Sequence, residues 1–260
     1  MFINLIGIEP NDLTGFTFFV VNMALLASAL FFWLERDNVN PKWKTSLTVS
    51  GLVCFIAAVH YFYMRDAGGT ETTAIRYIDW LITVPLLMIE LYIVLLAVTK
   101  VSSSVFKKLL GYTTLMLVFG YLGESAAAGT QIGPINAMTG FVGGMLFWGL
   151  ALREIWSGEA AEANAGSKNA AGHYAYDSLK KIVTFGWIIY PVGYAWGYFG
   201  GGLEDVPLMV DGVPVMVDGV EKMVANPNYN IVNQIYNLAD FVNKILPGVI
   251  VWAAARMDTK

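Results

Sequence analysis

Lys244 stands in the middle of the last apolar stretch of the chain, Ile235-Tyr-Asn-Leu-Ala-Asp240-Phe-Val-Asn-Lys244-Ile-Leu-Pro247-Gly-Val-Ile-Val-Trp252. An ammonium at membrane depth is expensive, and an ionisable residue there points to function. Its amine has an obvious chemical use, condensation with an aldehyde to form a Schiff base. Asp240 lies one helical turn earlier on the same face. A second set of charges sits in the third apolar stretch, Arg76-Tyr-Ile-Asp79-Trp-Leu-Ile-Thr83-Val-Pro-Leu-Leu-Met-Ile-Glu90. Asp79 and Thr83 share a helix face. Glu90 returns to nearly that face about three turns, or ~16 Å, further along. One polar stripe therefore carries carboxylates at two depths. Asp79, Asp240 and Arg76 around Lys244 make a balanced cluster, which a buried cation requires. Read as a purely structural ion-pair network, the cluster would leave Glu90 as an acid without a role. In apolar surroundings a carboxyl tends to stay protonated, which suits a stored proton.

Two further groups are chemically suggestive. His60 falls near the end of the second apolar stretch, in Ala57-Ala-Val-His60-Tyr-Phe-Tyr-Met-Arg65, where it reads either as an interfacial side chain or as a partner of the charges. Aromatics crowd the sixth stretch, Phe185-Gly-Trp187-Ile-Ile-Tyr190-Pro191-Val-Gly-Tyr194, with Trp187 and Tyr190 on one side. With Trp80 and Trp148 they either pack as core or clamp a flat conjugated ligand beside the lysine.

The elements that must position these groups follow from composition. Of 260 residues, 56% are hydrophobic and 14% charged, against about 25% charged in soluble domains. The apolar residues form seven runs: Phe16–Leu34, Thr45–Met64, Ala74–Val98, Phe106–Ala127, Ile135–Trp156, Leu179–Phe199 and Ile231–Ala255. Each is near or above the ~20 residues that span a bilayer as a helix. Barrel-type alternation is absent, so helices must satisfy the backbone in lipid. The expectation is an all-α membrane protein, a seven-transmembrane helix bundle spanning residues 1–260 as one domain. The single cysteine, Cys54, excludes an internal disulfide.

Charge gives the orientation. With seven spans, one side holds Arg36, Lys42, Lys44, Lys100, Lys107, Lys108, Arg153, Lys168, Lys180, Lys181, Arg256 and Lys260. The other holds Arg65, Arg76 and Lys222. The positive-inside rule then puts the amino terminus outside and the carboxyl terminus in the cytoplasm. Asp79 and Asp240 fall on the outer side of Lys244, and Glu90 in the inner half. Two connections are long. Ser157–Gly172 reads as a flexible cytoplasmic loop. Gly200–Tyr229 contains a tandem repeat, Pro207-Leu-Met-Val-Asp-Gly-Val213 then Pro214-Val-Met-Val-Asp-Gly-Val220. Its Asp-Gly pairs between apolar runs predict a short β-hairpin in the external loop before the last helix. That loop is either a solvent-exposed lid or a contact to a neighbouring subunit or ligand.

These residues resemble microbial rhodopsins, specifically the proteorhodopsin group of light-driven proton pumps. The resemblance covers nearly the whole chain and rests on the three long runs quoted above: Arg76–Leu87, Phe185–Tyr194 and Tyr236–Leu246. It implies that Lys244 carries all-trans retinal covalently, as a protonated Schiff base. Asp79 is then the primary counterion and proton acceptor, Asp240 the second counterion and Glu90 the proton donor. Thr83 completes the Asp-Thr-Glu triplet of outward proton pumps; sodium pumps of the family carry Asn-Asp-Gln there. His60 and Arg76 are implied counterion partners, His60 through a hydrogen bond. Trp80, Leu87, Met116, Trp148, Trp187, Tyr190 and Pro191 match the retinal pocket, with leucine at position 87 similar to the green-absorbing type.

The implied protein is an ion transporter rather than an enzyme. It needs no metal and no nucleic acid. Its partners are membrane lipid, protons and other copies of itself, in a pentamer or hexamer. The implied location is the plasma (inner) membrane of a bacterium. The alternative is a photosensory rhodopsin signalling through a partner, which could dispense with an acid at position 90. An ordinary secondary transporter would show inverted repeats and broken helices, which this sequence lacks. Two features depart from the group: Pro247, three residues after the lysine, and the length of the external repeat.

Overall fold

The structure, a computed structural model, describes residues 12–67, 71–199, 206–224 and 228–259. Parts of the long external connection therefore lie outside the described residues. Among those described, seven long helices form the bundle. The first five are Leu13–Glu35, Lys44–Ala67, Glu71–Leu96, Ser103–Ala127 and Ala137–Ser157. The sixth runs from Ala170 to Phe199 and the seventh from Asn228 to Met257. Each of the first five packs on the next, and the seventh closes the ring against the first and sixth. Among the described residues, five helices are long and apolar enough to cross a membrane by length and composition: Leu13–Asn38, Pro41–Arg65, Thr72–Leu96, Ser103–Ala127 and Tyr229–Met257.

Beside a largely apolar core the interior also holds charge, and large apolar side chains face outward. Arg76, Asp79, Glu90, Asp240 and Lys244 are inside, while Leu30, Leu34, Phe62, Phe185 and Leu146 are exposed on the outside. That arrangement suits a surround of hydrocarbon. Helix starts follow local chemistry. The Asp12 carboxylate accepts from the Gly15 amide at 2.7 Å, and Asn136 and Thr139 form a reciprocal cap at the fifth helix. The fourth and fifth helices touch through glycines. A Cβ on Gly123 would stand 2.9 Å from the Gly140 Cα, so small residues set this close approach.

The sixth and seventh helices are each interrupted by a π turn, Ile182–Gly186 and Phe241–Ile245. Such turns leave the ordinary ladder locally and recur at functional sites. Lys244 sits in the second, and Pro247 opens the α-helical segment after it. The expected kink point of Pro247 thus coincides with a helix already rewound, where a missing donor is accommodated.

The connection expected to be a flexible loop, Ser157–Gly172, is largely helical. Glu159–Gly166 forms a short helix, and the sixth helix begins at Ala170. The alanine content favours helix. Tertiary ties anchor it: Lys108 Nζ donates to Glu159 at 2.7 Å, and the Ala160 amide donates to Glu154 at 3.2 Å. The tandem repeat forms two hairpins, Met209–Val210 with Val213–Pro214 and Met216–Val217 with Val220–Glu221. Val206–Pro207 and Met223–Val224 pair at the base. Asp211, Gly212, Asp218 and Gly219 have φ of 51°, 78°, 53° and 81°. Positive φ at both central residues is the tight-turn geometry that Asp-Gly favours.

Candidate functional site

The third and seventh helices bring the charged residues together. Lys244 Nζ donates to Asp79 Oδ2 and lies 3.2 Å from Asp240 Oδ2. Asp79 and Asp240 are fully buried, and Lys244 is 1% exposed. The two carboxylates are differently furnished. Asp240 Oδ1 accepts from Trp80 Nε1 at 3.1 Å and from the Tyr190 hydroxyl at 2.8 Å. Its Oδ2 accepts from Tyr61 at 2.9 Å, with Arg76 Nη1 at 3.9 Å. Asp79 has the lysine on Oδ2, while no donor among the described residues reaches its Oδ1.

Arg76 is held one layer further along by Asn233 at 3.0 Å, Asn237 at 3.1 Å and Tyr61 at 3.3 Å. Tyr61, Asn233 and Asn237 were not singled out from the sequence. The asparagines were findable, because Asn233, Asn237, Asp240 and Lys244 repeat at four, three and four residues along one helix face. Tyr61 carried no signal beyond its place next to His60. His60 Nδ1 lies 3.9 Å from Asp79 Oδ1. That same nitrogen is 2.8 Å from the Ile56 carbonyl in its own helix. It stands beside Asp79, with that nitrogen engaged by its own helix rather than by the carboxylate. The Thr83 hydroxyl donates to the Asp79 backbone carbonyl at 3.0 Å, so it braces the helix rather than the carboxylate.

Glu90 stands apart from this cluster. It is 1% exposed, and among the described residues its hydrogen-bond partner is the Ser50 hydroxyl, which donates to Oε1. Cys54, one turn from Ser50 on the second helix, lies with Sγ 3.4 Å from the Lys244 carbonyl.

Lys244 lines a cavity of about 110 Å³. Trp80, Leu87, Met116, Trp148, Trp187, Tyr190 and Pro191, all expected from the sequence, line it. Gly120, Gly140 and Gly144, which have no side chains to fill the space, also border it, as do Phe141 and Tyr194. Trp148 Nε1 donates to the Val183 carbonyl at 3.1 Å, which ties one wall to the π turn of the sixth helix. An aromatic-walled space that reaches a lysine amine fits a flat, conjugated aldehyde joined at that amine. Glu124 borders the cavity too and was missed. It accepts from Tyr77, Tyr198 and Tyr236 at 2.8–2.9 Å. Its place at the end of the fourth span gave no sign that three other helices would meet it.

The sequence profile of bacteriorhodopsin-like proteins matches residues 12–257. The chain belongs to the bacteriorhodopsin-like protein family. Among its relatives is a green-light absorbing proteorhodopsin from Gamma-proteobacterium EBAC31A08, 46% identical over 251 residues, covering 95% of this chain and 88% of the relative. A blue-light absorbing proteorhodopsin from Gamma-proteobacterium Hot 75m4 is 42% identical over 252 residues, with the same coverage of 95% and 88%. The crystal structure of blue light-absorbing proteorhodopsin from Med12 superposes with a TM-score of 0.73 at 40% identity, covering 95% of this chain and all of that one. This microbial rhodopsin fold, with seven helices and a small hairpin before the last, is what the sequence led us to expect.

Proposed function

We propose that this chain is a light-driven outward proton pump. Lys244 would hold retinal through its nitrogen as a Schiff base, and the bound group would supply light absorption and photoisomerisation. The protein's own groups do the rest. Asp79 accepts the proton from the Lys244 nitrogen, and the observation that carries this assignment is the asymmetry of the two carboxylates. Asp240 is surrounded by Trp80, Tyr190, Tyr61 and Arg76 and serves as a fixed negative charge. Asp79 touches the lysine and keeps an oxygen free for a proton. Arg76 stands beyond it, ready to favour departure of a proton on that side. Glu90, buried and held by Ser50, returns a proton to the Lys244 nitrogen from the other side and is refilled from the cytoplasm. His60, next to Asp79, is placed to tune the acceptor, and Thr83 to hold its helix.

The charge distribution supports an amino terminus outside, so the Asp79 side faces out. Moving one proton against 100 mV takes about 2.3 kcal/mol, small beside a visible photon. Leu87 in the cavity wall and the green-absorbing relative support green absorption. Exposed apolar helix faces are compatible with lipid or with a ring of copies, for which the pentamer or hexamer is the size implied by the family.

Cells producing the protein and given retinal test the reading. Illumination should acidify an unbuffered medium, and a protonophore should abolish the change. A photocycle without any light-dependent pH change would favour the photosensory alternative.

A further inference from the structure

The proposed pump leaves one buried polar residue beside the lysine without a task. Asn243 is fully buried within the π turn Phe241–Ile245. Its Nδ2 donates to the Gly186 carbonyl at 2.9 Å, in the π turn of the sixth helix. A carbonyl can be met only by the NH2 end of the amide, so this bond fixes which way Asn243 points. Its Oδ1 is left with no donor among the described residues. A buried amide oxygen without a partner is unfavourable and uncommon. A Cβ on Gly186 would collide with that oxygen, so glycine there leaves the amide its place. Pro247 has no N–H to offer the Asn243 backbone carbonyl one turn earlier.

Asn243 lines a second, smaller cavity together with Glu90, Leu87, Trp187 and Pro247. Its volume is about 10 Å³, close to the ~10–15 Å³ that one water requires. Asn243, the cavity and the proline that the sequence left unexplained meet at one spot, bordered by Glu90 and adjoining Lys244 in the chain.

Building on the reading of Glu90 as proton donor, we infer that Asn243 is a positioning residue for the return of the proton: its Oδ1 binds one water in the cavity that Glu90 also lines. The water shortens the gap the proton crosses between the Glu90 carboxyl and the Lys244 nitrogen. The bond from Asn243 to Gly186 keeps the site in register between the sixth and seventh helices.

Two measurements on the retinal-loaded protein test this. An experimental structure that resolves waters should show one within hydrogen-bond distance of Asn243 Oδ1; a dry cavity overturns the inference. Time-resolved absorption after a flash should then separate the two proton steps. Asn243→Leu should slow proton return to the Lys244 nitrogen by ~10–100-fold while leaving transfer to Asp79 unchanged, since misplacing one group in a relay is enough for such a loss. General loosening of the helix would alter both steps and would count against the inference. Asn243→Ser, whose hydroxyl can hold the water, should return faster than Asn243→Ala. This pair decides the matter if Asn243→Leu fails to take up retinal, and equal rates in the pair overturn the inference. Glu90→Gln run in parallel distinguishes the two ideas. Slow return in Glu90→Gln with normal return in Asn243→Leu defeats the role of Asn243 alone. Normal return in Glu90→Gln defeats the donor reading beneath it.

Discussion

At the scale of the residue, the chemistry turns on how unequally two carboxylates around one lysine are bound. Asp240 receives tryptophan and tyrosine donors on its two oxygens, whereas Asp79 meets the lysine and has one oxygen with no donor among the described residues. Their presence was legible from spacing alone, because charges at helical intervals in apolar segments are hard to explain otherwise. Their inequality was not, because the donors Tyr61, Trp80 and Tyr190 come from three different helices. Lys244→Ala should give a protein that stays colourless with retinal, and a retained visible band would refute the attachment site. Asp79→Asn should abolish light-driven acidification, since an amide cannot take the proton. Glu90→Gln should keep the first transfer and slow the return by ~10²-fold or more, the usual scale for losing a positioned proton donor. Flash kinetics in which Glu90→Gln runs at the natural rate would remove that residue from the path.

At the scale of the element, hydropathy located all seven helices to within a few residues over most of their ends. It missed where the helices cease to be regular. The π turns at 182–186 and 241–245 are joined across the sixth and seventh helices by the bond from Asn243 to the Gly186 carbonyl, a contact that no local signal marks. The connection 157–172 misled for a related reason: its small residues suit a loop, but Lys108 and Glu154 capture it as helix. The hairpins were legible because Asp-Gly turns are encoded locally. Glycine packing gives a test at this scale. Gly140→Ala places a Cβ against the backbone of Gly123 and Phe119, which cannot give way as a flexible side chain would. It should destabilise by ~1–3 kcal/mol, the range for overpacking. Gly149→Ala in the same helix meets nothing within 4 Å and should be neutral or slightly stabilising. Rates of thermal bleaching in detergent should rank Gly140→Ala fastest; equal rates would mean the fourth and fifth helices do not rely on this contact.

A second clasp ties elements together at the end rich in Lys and Arg. Asp258 accepts from Lys42 at 2.7 Å, Trp43 at 2.9 Å and Asn169 at 2.7 Å. Burial alone would raise this carboxyl, but the three donors hold it below the usual carboxylate range. A group depressed in the folded state adds stability above its unfolded value, near 3.9, and loses it as pH falls through the folded value. Asp258→Ala should therefore lower the melting temperature at pH 7. The gap from the natural protein should close as pH falls below about 4, and a gap that is constant with pH would show that the carboxylate charge contributes nothing.

At the scale of the whole molecule, the direction of the proposed pumping depends on the orientation of the chain. The site has a built-in polarity, with Arg76 and the carboxylate pair to one side of Lys244 and Glu90 to the other, but geometry inside the bundle cannot say which side faces out. Charge can: twelve of the sixteen Lys and Arg fall on one side of the seven spans and three on the other, Lys244 lying between. Each misplaced basic segment is disfavoured during insertion, and all four segments on the basic side agree. The single cysteine makes the orientation measurable, because Cys54 is buried and contributes little background to thiol labelling. Lys222→Cys places a thiol beside the hairpins, and Lys168→Cys places one between the short helix and the sixth. Both positions are exposed. A membrane-impermeant maleimide added to intact cells should label Lys222→Cys, and should reach Lys168→Cys only after the cells are opened. The reverse pattern would turn the proton path around, with Asp79 discharging inward. The same cells, given retinal and light, should then alkalinise rather than acidify the medium, so labelling and pH must agree in sign for the pump to run outward.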